Sequence, residues 1–247
     1  MIGGILAAGT NGVNINDAGS GTPGTAIVTL SGLDIEGTGT GISGISFTSG
    51  ASLHVHKTQI RGFRASGTGG NGISFTPTAG GKELYVADSY ITDNGSNATT
   101  GGIVFRPGAA GGGNVSINRT QIENNSSGII VDGSVSTVGG ISALVSDSNI
   151  SGSPNNGITA ITVAGHTAVA IMVDRCKVAF NVGSGINANG VTGSGLGSAT
   201  VRVGGTAIHA NVTGVSATGT GQLRSYSTNQ LNANGSDGVF ALHDTPQ

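Results

Sequence analysis

The stretches LHVHKTQI (residues 53–60), LYVADSYI (84–91) and VSINRTQI (115–122) are one eight-residue phrase written three times. Apolar residues fall at places 1, 3 and 8, and a small polar residue falls at place 6. The alternation between places 1 and 3 is that of a strand with one buried face. Places 4 and 5 break it, and places 6 and 8 resume it. The phrase therefore reads strand, corner, strand.

The place-8 residue recurs along the whole chain as Ile35, Ile60, Ile91, Ile122, Ile150, Val178, Ile208 and, less cleanly, Leu231. After each comes a second phrase, glycine followed by an apolar residue: GISF at Gly44 and Gly72, GIVF at Gly102, GIIV at Gly128, GITA at Gly157, GINA at Gly185, GVSA at Gly214 and GVFA at Gly238. Several short strands per repeat of roughly 28 residues, with no helical periodicity, define a parallel β-solenoid with one coil per repeat. The expected architecture is all-β: a single parallel β-helix domain spanning residues 1–247 and winding for about eight coils. Residues 222–247 are expected to form the last coil and a C-terminal cap or tail. GVNI at Gly12 reads as a second phrase without its first, so the N-terminal coil is expected to be incomplete.

Stacked coils place equivalent residues above one another. Phe47, Phe75 and Phe105 should form an interior aromatic column, continued by the smaller Val131, Ala188 and Ala217. Asn94, Asn125, Asn181, Asn211 and Asn234 recur three residues after place 8. They are expected at a corner, where Asn tolerates the left-handed region and stacked amides form ladders. Cys176, the only cysteine, occupies place 6 beside Thr58, Ser89, Thr120, Ser148 and Thr206 and reads as a buried small residue.

Composition excludes several classes. Glycine supplies 47 of 247 residues, but there is no Gly-X-Y period, so the chain is not collagenous. Charged residues are only 9% and the net charge is −2 with no basic run, which argues against nucleic acid binding. No apolar stretch reaches the ~20 residues of a membrane-spanning helix. The glycine runs near Gly37 and Gly108 lack the Lys-Ser/Thr ending of a phosphate loop.

Place 5 reads Lys57, Asp88, Arg119, Asp147, Arg175. At a coil spacing of about 4.8 Å, like charges would repel and alternating charges attract. The alternation reads as a charge-compensated surface ladder. Lys57, Asp88, Arg119 and Asp147 are also the candidate catalytic residues of the alternative reading. A lyase needs carboxylates for calcium and a cation acting on the sugar, and a hydrolase needs clustered carboxylates. Arg119 between Asp88 and Asp147 suits neither, although Asp174 lies nearer Asp147. His54, His56 and Tyr85 face outward nearby and are candidate ligand-binding residues. Two histidines at i, i+2 without others in adjacent coils make a sparse metal site. Asp93 and Glu123 could hold calcium weakly; no other cofactor is implied. His166 and His209 stand isolated, and His243 belongs to the tail.

GGILAAGTNGVNIN, LSGLDIEGTGTGISGISF, LHVHKTQIRGF and SYSTNQLNANGSDG together resemble bacterial right-handed parallel β-helix repeat proteins of the pectate-lyase-like superfamily. The resemblance covers essentially the whole chain and implies extracellular carbohydrate chemistry or binding. None of that superfamily's catalytic motifs carries over residue by residue. The function expected is a non-catalytic secreted or cell-surface scaffold, adhesin or glycan-binding protein, with a polysaccharide or cell-surface glycan as partner. The alternative is a polysaccharide lyase or hydrolase acting on a long polymer along the outer face. An uncapped N-terminal coil would present unpaired strands, so end-to-end self-association is also expected.

Overall fold

The computed structural model describes residues 3–191 and 197–245. Among them are 26 short strands and no helix, wound into a parallel β-solenoid of about seven turns against the roughly eight expected. Among the described residues no helix is long and apolar enough to cross a membrane. The strands stack into three parallel sheets of nine, nine and eight members, with every third strand in chain order falling in the same sheet until the final strand, Leu242–His243, which pairs with Gln222–Ser225 two strands before it. One coil illustrates the path. Ser52–His56 lies in the first sheet, Gln59–Arg61 in the second and Asn71–Phe75 in the third. Lys82–Ala87 then returns to the first sheet, in register beneath Ser52–His56.

The registers join the repeated phrases place by place. Leu53 pairs with Leu84, Leu84 with Val115, and Ile60 with Ile91 and Ile91 with Ile122. These apolar residues are buried, and they line the core that runs along the axis. One place-8 residue escapes the sequence pattern: Ile5, in the strand Gly3–Leu6, pairs with Ile35. Phe47, Phe75 and Phe105 stack with centroids 4.6 and 5.3 Å apart. Val131, Ala160 and Ala188 extend the buried column. Ala217 pairs with Ala188 but is exposed, because its strand, Thr213–Thr218, is the last of the third sheet.

The second phrase begins with glycine because the backbones approach closely there. A Cβ on Gly102 would lie 2.8 Å from the carbonyl oxygen of Gly128 and 3.0 Å from Nδ2 of Asn125. Only a residue without a side chain leaves room for the amide ladder of the adjoining corner.

That ladder is built differently from the expectation. The left-handed residue is the one before each asparagine: Asp93 (φ 57), Asn124 (φ 55), Phe180 (φ 60), Ala210 (φ 55) and Ala233 (φ 56). The asparagines themselves turn inward. Asn125 Oδ1 accepts from Asn94 N and from Asn94 Nδ2, each at 3.0 Å, while its Nδ2 donates to Ile91 O at 2.9 Å. Asn181 and Asn211 repeat the arrangement, and Ser153 interrupts it with a buried hydroxyl that has no partner. The inward turn satisfies buried backbone groups that no strand reaches.

The two ends differ. At the C-terminal end Gly214 and Val215 donate to Ser236 O and Asp237 O, Phe240 packs on the core, and Asp244 pairs with Arg202 and Arg224. At the other end Gly3–Leu6, Asn11–Asn16 and Ile27–Ser31 each pair on one side only among the described residues.

Candidate functional site

Place 5 is a second left-handed corner, at the junction of the first and second sheets. Lys57, Asp88, Asp147 and Arg175 all have φ 49, Arg119 has φ 46, and the same place in other coils is Gly32 and Gly205. Long side chains in this region carry backbone strain. At place 6 each inward hydroxyl closes the turn. Ser89 Oγ donates to Ala87 O at 2.7 Å and accepts from Thr58 N at 3.2 Å; Ser148 does the same with Ser146 O and Thr120 N, and Thr120 Oγ1 donates to Asn118 O. Cys176 occupies one step of this ladder. It is buried, its Sγ donates to Asp174 O at 3.3 Å, and burial pushes its thiol up to about 11.

The charged side chains leave the corner and pair across coils. Arg119 clamps Asp88 from the next coil, Nε to Oδ1 at 2.7 Å and Nη2 to Oδ2 at 3.0 Å. Arg175 clamps Asp147 in the same way at 2.9 and 3.0 Å, and also pairs with Asp174. The Arg119 guanidinium, with His56 Nε2 at 2.9 Å, holds the Asp88 carboxyl down at about 2. Asp147 is lowered chiefly by Arg175. The ladder thus resolves into discrete carboxylate–guanidinium pairs, with Lys57 at its end and in no ion pair among the described residues.

Beside this corner runs a groove of about 520 Å³ lined by Lys57, Thr58, Gln59, Asp88, Ser89, Tyr90, Arg119 and Gln121. Gln59, Tyr90 and Gln121 stand in register on the second sheet, so the groove offers amides and a phenol along the axis. A smaller recess of about 350 Å³ on the first sheet is lined by Thr29, Ser31, His54, His56 and Tyr85, among others. There His54 stacks on Tyr85, centroids 4.7 Å apart and planes 16° from parallel, and its Nε2 lies 3.2 Å from Ser52 Oγ. The Glu83 carboxylate, to which the Tyr85 hydroxyl donates, raises the Tyr85 phenol above its ordinary value.

The structure therefore brings His56, Asp88 and Arg119 together and sets His54 with Tyr85 one residue pair away. Asp147 belongs to a separate pair. The calcium candidates are engaged elsewhere: Asp93 with Arg64 at 3.4 Å, and Glu123 with Tyr90 at 3.4 Å and Asn149 at 2.5 Å. Among the described residues no three His, Cys, Asp or Glu side chains converge as a metal site. His209 is not isolated: its ring meets Phe180 edge-on, centroids 5.5 Å apart. Phe180 escaped the sequence reading. The available signal was an aromatic in a column that otherwise reads Gly37, Gly62, Asp93, Asn124, Gly152, Ala210 and Ala233.

Compared with models of known protein families, with curated proteins and with solved structures, the chain matches none.

Proposed function

We propose that this protein is a non-catalytic, extracellular β-helix scaffold whose outer surface binds glycan. The observation that carries this reading is the state of the carboxylates on the charged corner. Asp88 and Asp147 are each closed into a two-pronged pair with an arginine of the next coil. A carboxyl held near 2 is ionised throughout the neutral range, so Asp88 cannot donate a proton as a general acid, and it is a weak base. What the corner does offer is an open groove across three coils, with amide, phenol and ammonium groups among its lining side chains, which suits binding of a hydroxyl-rich polymer. The resemblance to pectate-lyase-like repeat proteins and the surface rich in Ser, Thr and Asn support secretion or display at the cell surface.

A second reading, a polysaccharide lyase or hydrolase, is favoured by one contact: His56 lies 2.9 Å from Asp88 at the rim of the recess. One assay separates the two. Release of new reducing ends is measured on acidic and neutral polysaccharides, with calcium and with chelator, alongside binding of the same polymers. Binding without release is the expected result. Release that vanishes in Asp88→Ala or Arg119→Ala would overturn the scaffold reading.

A further inference from the structure

We infer that the ring of Phe180 is a stacking platform for a pyranose unit of a glycan; this rests on the glycan-binding reading above and assigns that binding to a different corner. The ring stands at a left-handed position with φ 60, where a bulky side chain is an outlier, and it is 55% exposed. Folding gains little from an aromatic placed so, since most of its apolar surface stays in water. The other coils carry Gly, Asp, Asn or Ala at this place. Val182 and Val212, 62% and 56% exposed, occupy equivalent places in consecutive coils, two residues past the same corner. Their counterparts are Arg64, Gly95, Ser126, Pro154 and Gly235, so the apolar patch is confined to two coils.

The ring is also held in place. Lys177 Nζ lies 5.5 Å from its centroid, and the His209 ring packs against it at 79°. A fixed aromatic loses little entropy on binding. The patch is one phenyl ring and two valines, far short of the roughly 800 Å² per partner that a stable protein interface buries. It matches the C–H face of a single sugar ring. Lys177 Nζ lies over the phenyl ring and the His209 ring packs edge-on against it, and both can hydrogen-bond the oxygens of a pyranose stacked there. The rigid corner, the small apolar area and the polar rim fit a saccharide better than a polypeptide.

The test uses the full chain on a printed array of neutral and acidic oligosaccharides, followed by calorimetric titration with the best-bound oligosaccharide. The variants are Phe180→Ala, Phe180→Gly, Phe180→Trp and, as a control at an exposed apolar residue of the first sheet, Leu144→Ala. Loss of at least tenfold in affinity is expected in Phe180→Ala and Phe180→Gly, with binding kept in Phe180→Trp and in Leu144→Ala. Phe180→Gly relieves the left-handed strain, so its unfolding midpoint should equal or exceed the wild type's, which separates lost binding from lost folding. If the wild type binds and the Phe180 variants bind equally well, the platform is overturned while the glycan-binding reading survives. If the wild type binds no oligosaccharide, both fall. Dimerisation abolished by Phe180→Ala, with no glycan bound, would overturn the platform in favour of a protein contact.

Discussion

Truncating Asn125 to alanine tests the inward amide ladder, the least obvious element holding the coils in register. The Asn125 side chain is fully buried. Its oxygen accepts from Asn94 N and Asn94 Nδ2, and its nitrogen donates to Ile91 O at 2.9 Å and Glu123 O at 3.1 Å. Asn94 Nδ2 retains a second acceptor, Ile60 O at 3.2 Å, but the backbone N–H of Asn94 has no other partner. Leaving one buried donor unsatisfied costs about 1–3 kcal/mol, and the carbonyls and the cavity left by the amide add to it. Asn125→Ala should therefore destabilise the protein by about 3 kcal/mol. Urea unfolding followed by circular dichroism reads the total from the midpoint. Hydrogen exchange at the Asn94 amide reads the local effect, and its protection should fall most among the corner amides. A loss under about 0.5 kcal/mol, with Asn94 protection unchanged, would refute the idea that this side chain serves the buried backbone.

The converse substitution fills the gap at the next corner: Ser153→Asn, which replaces a hydroxyl with no partner beside a retained Gly128, should raise stability by about 1 kcal/mol in the same urea assay. Lys57→Gly removes left-handed strain without removing an ion pair, so it should stabilise by about 0.5–1 kcal/mol, and more than Arg119→Gly, which also frees Asp88. Asp17 accepts from Gly24 N, Thr25 N and Ala26 N and from Ser49 Oγ, and these bonds lower its carboxyl to about 2. Because the folded value lies below the ordinary carboxylate value, the stabilisation is complete above about pH 4. It is lost as the pH falls through about 2, as it is for Asp88, whose carboxyl is also near 2. Asp17→Asn should flatten that acid limb in a pH series of thermal melts. Cys176, buried with its thiol near 11, should resist a thiol reagent at pH 8 in the folded protein and react at once in denaturant. Rapid labelling of the native protein would show that this corner opens.

The solenoid was legible because inter-coil pairing repeats identical places, so one phrase encodes every coil. Leu53 over Leu84 over Val115, and Phe47 over Phe75 over Phe105, follow from the period and from alternation alone. The pairing partners of the charged corner were half legible. Alternating signs foretold attraction, but only the folded corner decided that Asp88 closes with Arg119 and Asp147 with Arg175, leaving Lys57 without an ion pair among the described residues. The chemistry of the candidate site was less legible still. A carboxylate written in a sequence carries no sign of the guanidinium that silences it. The column of Gly62, Asp93, Asn124 and Gly152 hints at the left-handed backbone of Phe180, but nothing in the sequence places Lys177 above its ring or His209 beside it. Periodicity determines which residues stack, because stacking is translation along one axis. Where the chain turns, and what each outward side chain meets there, depends on backbone angles and on neighbours about thirty residues away, and those only the tertiary structure decided.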